Sequence, residues 1–137
     1  MGLGLSGDEA SGLLAAQFQG TSYSASANWI QLHLGDPGAA GTANLCALTD
    51  RADASAAFGT DPVVSSGTAT ITSDGDIGAT EWVDPPSSET PTHFSRWTAS
   101  SGGTFLGSGL LSSGSITAHS PFQLDAGDVS ASYSVAT

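Results

Sequence analysis

The chain has 137 residues, with 13 acidic side chains set against two arginines, Arg51 and Arg96, and a formal net charge of −11. That length suits a single domain, expected over residues 1–137, burying about two-thirds of the surface its unfolded chain would expose. The charge excludes nucleic acid and an anionic membrane surface as partners, because both are held through cations that this lysine-free chain lacks.

The opening MGLGLSGDEA has neither the basic region nor the apolar run of a secretory signal, and no stretch approaches the roughly 18 apolar residues of a membrane span. Synthesis in the cytoplasm is the expectation. Gly2-Leu3-Gly4-Leu5-Ser6-Gly7 has the spacing of a dinucleotide-binding fingerprint, but that chemistry needs a strand before the glycines and only Met1 stands there. The match is chance in a glycine-rich sequence. Ser6 followed by Glu9 is a capping box, Ala10, Leu13, Leu14 and Phe18 recur at helical spacing, and Gly20 supplies a stop. The pattern predicts a helix over residues 7–19, with one apolar stripe that should lie against something else.

Beyond Gly20 the period shortens to that of strands. Residues 28–34 alternate, with Ile30, Leu32 and Leu34 on one face and Trp29, Gln31 and His33 on the other. The Gly35-Asp36-Pro37-Gly38 turn ends that strand. Residues 45–50 and 52–58 read as one bent strand or two, and residues 63–72 as another. Residues 73–91, rich in Gly, Asp and Pro around Glu81-Trp82-Val83, form a long irregular connection. Strands over 92–99, 104–111, 115–118, 121–124 and 129–136 follow, separated by Ser100-Ser101-Gly102-Gly103, Ser112-Ser113-Gly114 and Asp125-Ala126-Gly127-Asp128. Many short strands at this spacing predict a mainly β chain: an antiparallel β-sandwich or barrel-like fold over 28–136, with one short N-terminal helix.

The residues offer little for catalysis. Without lysine there is no P-loop, and without G-x-S-x-G there is no nucleophile elbow. Cys46 is the only cysteine and, beside Leu45, Ala47 and Leu48, reads as a buried apolar residue. His33, His93 and His119 fall in or at the ends of separate strands, the setting of hydrogen-bonded structural histidines. Asp74-Gly75-Asp76 and the Asp125–Asp128 turn lack the alternating oxygen ligands and terminal Glu of a calcium hand. Glu81 with Glu89 or Asp84 has no geometry to support a glycosidase pair. No catalytic residue, metal ligand or cofactor is therefore expected. The scattered acids read as a solvated surface, or as adaptation to strong salt, which screens self-repulsion.

Aromatic residues point instead to contacts. Trp29 lies opposite the Ile30 face, and Trp97 alternates with Phe94, so these strands are apolar on both sides. Such strands are covered twice, by a second layer of the same chain or by a partner subunit.

Three segments resemble a family of small virion proteins of tailed phages. They are the L-H-x-G-D-P-G-x-x-G-T-x-N turn at residues 32–44, the T-H-F-S-x-W-x-A-x-S-G-G-T-F-L stretch at 92–106, and the final strand–turn–strand at 122–135. The sequence departs from that pattern at Leu45-Cys46 and in the proline-rich residues 84–91. The resemblance implies a non-enzymatic virion structural protein. Head decoration or minor capsid protein on the outer shell is the first reading, since an acidic chain would be repelled by packaged genome. A tail- or fibre-associated protein is the alternative. A host-surface or carbohydrate-binding module, stacking sugars on Trp29, Trp82 and Trp97, is the reading from another class. The expected partners are the major capsid protein or another virion protein and further copies of the chain, a trimer first. Trp29, Trp97, Leu13, Leu14 and Phe18 are the candidate assembly contacts.

Overall fold

A computed structural model describes residues 4–24, 28–112 and 114–136. Ser113 of the predicted 112–114 turn and the first two glycine-fingerprint positions lie outside the described residues.

Helix α1 runs Gly7–Gln19, as its end signals predict. The Ser6 hydroxyl accepts the Glu9 backbone N–H at 3.1 Å, and Gly20 closes the helix at φ 70°. The reciprocal half of the capping box does not form. Ser6 N–H donates instead to the Leu106 carbonyl at 2.9 Å, and the Glu9 carboxylate is bound by Tyr23 and Arg96. The helix start is thus tied to a strand rather than to itself.

Two antiparallel sheets form the rest, as expected for a sandwich. In the first, β1 (Trp29–His33) lies between β2 (Ala52–Asp53) and β5 (His93–Trp97), and β6 (Phe105–Leu110) pairs with β5. In the second, β4 (Thr68–Thr72) lies between β3 (Val63–Ser65) and β7 (Ser130–Ser134). A bridge between Leu111 and Val129 joins the sheets at one corner, from which β6 and β7 diverge. Register sets Leu32 opposite Phe94 and Ile30 opposite Arg96 on one face of β1–β5, with Trp29 opposite Trp97 and Gln31 opposite Ser95 on the other.

Several expected elements differ. Residues 63–72 are a hairpin, because Ser66 and Gly67 take φ 50° and 77° and reverse the chain in two residues. Residues 45–58 contribute only β2 and a Leu45–His33 bridge. Residues 115–118 and 121–124 reduce to single bridges, Ile116 to Glu89 and Leu124 to Ile77. Their partner is the irregular 73–91 connection, where Pro85 and Pro86 lack the N–H groups that extend a ladder.

Those irregular segments nevertheless complete the core. Ile30, Leu32 and Phe94 pack against Cys46, Leu48, Ile77, Trp82, Ile116, Phe122, Leu124 and Val129 from the loop layer. Cys46 is buried as expected, and burial pushes its thiol pKa up to about 12. Trp82, in a segment that reads as a loop, is the largest fully buried side chain.

Candidate functional site

Several of the chemistry-bearing residues do structural work. His33 and Ser95 have the contact of a base and a nucleophile, His33 Nε2 lying 2.7 Å from Ser95 Oγ, yet both are fully buried. Trp97 Nε1–H, which can only donate, donates to Ser95 Oγ at 2.7 Å. The serine proton therefore goes to His33 Nε2, and His33 Nδ1–H donates to the Ala43 carbonyl at 2.7 Å. Every polar atom of this relay is used with the imidazole neutral, and burial lowers the His33 pKa below its ordinary 6.5. β1–β5 pairing also places His93 directly opposite His33, a neighbour that sequence separation conceals.

Several acids act as backbone clamps. Asp74 accepts from Gly59 N–H at 3.1 Å and from the Thr60 hydroxyl at 2.6 Å, and these bonds hold its pKa below the usual carboxylate value. Glu89 accepts Ala47 N–H at 2.9 Å. Asp125 N–H is capped by Asp128 Oδ2 at 2.9 Å, the role of a turn residue. Among the described residues no cluster of three or more His, Cys, Asp or Glu could hold a metal ion. Nor is any helix among them long and apolar enough to cross a membrane.

Both cations are engaged inside the molecule. The Arg51 guanidinium lies 3.9 Å over the Trp97 ring and donates to the carbonyls of Ala99 and Gly102. Arg96 donates to Asn28 Oδ1 at 2.8 Å and pairs with Glu9 at 3.4 Å. At Trp97 the second face of β1–β5 is thus covered by the chain's own Arg51 and Phe105, and Trp97 is only 7 % exposed. Trp29 is half-buried.

Of the candidate assembly contacts, those on α1 differ most from one another. Glu9 and Leu13 face inward, Glu9 buried and Leu13 half-buried. Leu14 is 55 % and Phe18 82 % exposed, so the stripe expected to dock divides between two sides of the helix. On the inner side, an apolar cleft of about 410 Å³ opens where the sheets diverge. Leu13, Ile30, Phe94, Ile71, Ala131 and Tyr133 line it, and Glu9, Tyr23, Asn28 and Arg96 border it. Elsewhere Val63 and Val64 of β3 are also largely exposed.

A family model described as podophage GP4 fiber I protein gp80 matches residues 4–132. The match spans nearly the whole chain, and the protein belongs to that family, within the structural proteins of tailed-phage particles. No curated protein matches the chain.

Proposed function

We propose, on the premise of that membership, that this chain is a non-catalytic structural component of a tailed phage's fibre apparatus, carried on the outside of the particle. The observation that carries the reading is the fibre-family match over residues 4–132. The charge argument for a head decoration protein applies equally to a fibre, since both lie away from packaged genome. Charge therefore does not discriminate, and the family description favours the fibre. A sugar-stacking module is disfavoured because Trp82 and Trp97 are buried in the chain's own interior.

The fibre subunit assembles with further copies of itself, a trimer first, through apolar surface that a lone subunit leaves in water. The exposed Leu14 and Phe18 support this, being uncharged on a chain of net charge −11. Reconstruction of the whole particle tests the placement. Density for this fold along a tail fibre is the expected result, and density distributed over the head shell would overturn it.

A further inference from the structure

Helix α1 separates two apolar surfaces. Its outer side leaves Phe18 and Leu14 projecting into solvent, 82 % and 55 % exposed, beside a shallow groove that they line with Ala10 and Ala15. Its inner side, through Leu13, forms one wall of the cleft between the sheets. We propose that Phe18 of one copy, with Leu14 beside it, seats in this cleft of a second copy. The inference rests on the homo-oligomer reading above and gives it a geometry.

Three observations select this occupant. First, Glu9, Tyr23, Asn28 and Arg96 at the border of the cleft already engage one another. Tyr23 O–H donates to Glu9, and Arg96 pairs with Glu9 and donates to Asn28. Apart from the solvent-exposed Ser130, an occupant therefore meets apolar wall and needs no hydrogen bonds of its own. Second, the sizes agree. A cavity of roughly 150 Å³ admits a benzene ring, so about 410 Å³ has room for a phenyl ring and a leucyl side chain together. Third, the protrusion is free of charge: the acids of α1, Asp8 and Glu9, lie in its first turn, away from Leu14 and Phe18. Two strongly acidic chains can meet there without opposing carboxylates at the contact.

Protrusion and socket are different surfaces of one molecule, so the contact is head-to-tail. Such contacts close into rings where the rotation permits, a threefold ring among them. A self-complementary contact, Phe18 against Phe18, would leave the cleft unused.

A mixing experiment on the purified full chain separates these cases by sedimentation velocity. Phe18→Ser removes the protrusion and keeps the socket. Ala131→Trp, at a cleft-lining position of β7, fills the socket and keeps the protrusion. Each variant alone should be monomeric with a native circular dichroism spectrum, and an equimolar mixture should form a one-to-one heterodimer and nothing larger. If Ala131→Trp does not fold, Ala69→Phe on the neighbouring strand β4 blocks the same cleft. A folded socket-blocked variant that still assembles like wild type overturns the seating, as does a mixture that stays monomeric. Those results leave self-association itself intact. A wild-type chain monomeric at every concentration instead overturns the homo-oligomer reading, and the seating with it.

Discussion

The indole of Trp82 lies so close over Gly78 that a Cβ on the glycine would sit 2.0 Å from the ring's Cε3. Gly78 also holds φ +96°, where a side chain is strained whatever the space around it. Trp82 is pinned from its other sides, donating Nε1–H to the Asp50 carbonyl at 2.9 Å and packing on Phe122 with ring centroids 5.8 Å apart. Gly78→Ala should therefore displace the indole, costing roughly 1–3 kcal/mol for overpacking and about 1–2 kcal/mol for backbone strain. A lower melting temperature with red-shifted tryptophan emission is expected. An unchanged melt would show that the 73–91 layer yields freely and does not fix the core.

What could be read from the sequence was local. Ser6, Glu9 and Gly20 mark the ends of α1 because capping is decided within four residues. Strands β1, β5 and β6 show in their alternation for the same reason. The hairpin at Ser66-Gly67 was hidden because Val63, Val64, Thr68, Thr70 and Ile71 make an almost continuous run of strand formers, although a Ser-Gly pair is itself a turn signal. Spacing pairs the Glu9 carboxylate with Ser6, yet that carboxylate binds Arg96, 87 residues away. The stretches at 32–44 and 92–106 meet in space: His33 bonds Ser95, and a Cβ on Gly41 would lie 2.5 Å from the Phe105 ring. At the candidate site, helical periodicity named Leu13, Leu14 and Phe18 but could not tell an inner side from an outer one. That division depends on which side of α1 meets the sheets.

The same division predicts two different responses on one helix. With Leu14 more than half exposed, Leu14→Ala should change the stability of the dissociated chain by no more than about 0.5 kcal/mol, well below the cost of a buried leucine. Leu13→Ala, at a half-buried position on the cleft, should cost measurably more. Denaturant titration at concentrations low enough to suppress assembly distinguishes them. Equal losses would mean that α1 docks through both residues.

Tyr23 should make the fold sensitive to alkali. Burial, and then its bond to the Glu9 carboxylate, push its pKa from 10.0 up to about 12. The folded pKa lies above the unfolded one, so the stabilisation is complete below pH 10 and is lost as pH rises toward 12. Wild type should lose stability more steeply than Tyr23→Phe across that window. Parallel curves would indicate that the phenol ionises as freely in the folded chain as in the unfolded one.

His33 sets the acid side. Its pKa is lowered chiefly by burial, against the opposing pull of the Ala43 carbonyl on its Nδ1–H. The folded chain therefore binds this proton less readily than the unfolded chain does. Stability from the neutral imidazole is present above pH 6.5 and is lost as pH falls below it. Protonation of the acids also lowers the self-repulsion of a chain at −11, so the total stability of wild type mixes two opposite trends. Comparison with His33→Gln isolates the histidine, because both proteins carry the same carboxylates. The stability difference between them should shrink in favour of the variant as pH drops from 7 to 5. Ser95→Ala provides the structural control: it strands the Trp97 N–H and the His33 Nε2, each at roughly 1–3 kcal/mol for a buried unpaired group, at every pH. A gap between wild type and His33→Gln that stays constant over this range would mean that the imidazole takes up its proton inside the fold, and the directed relay from Trp97 through Ser95 to Ala43 would have to be abandoned.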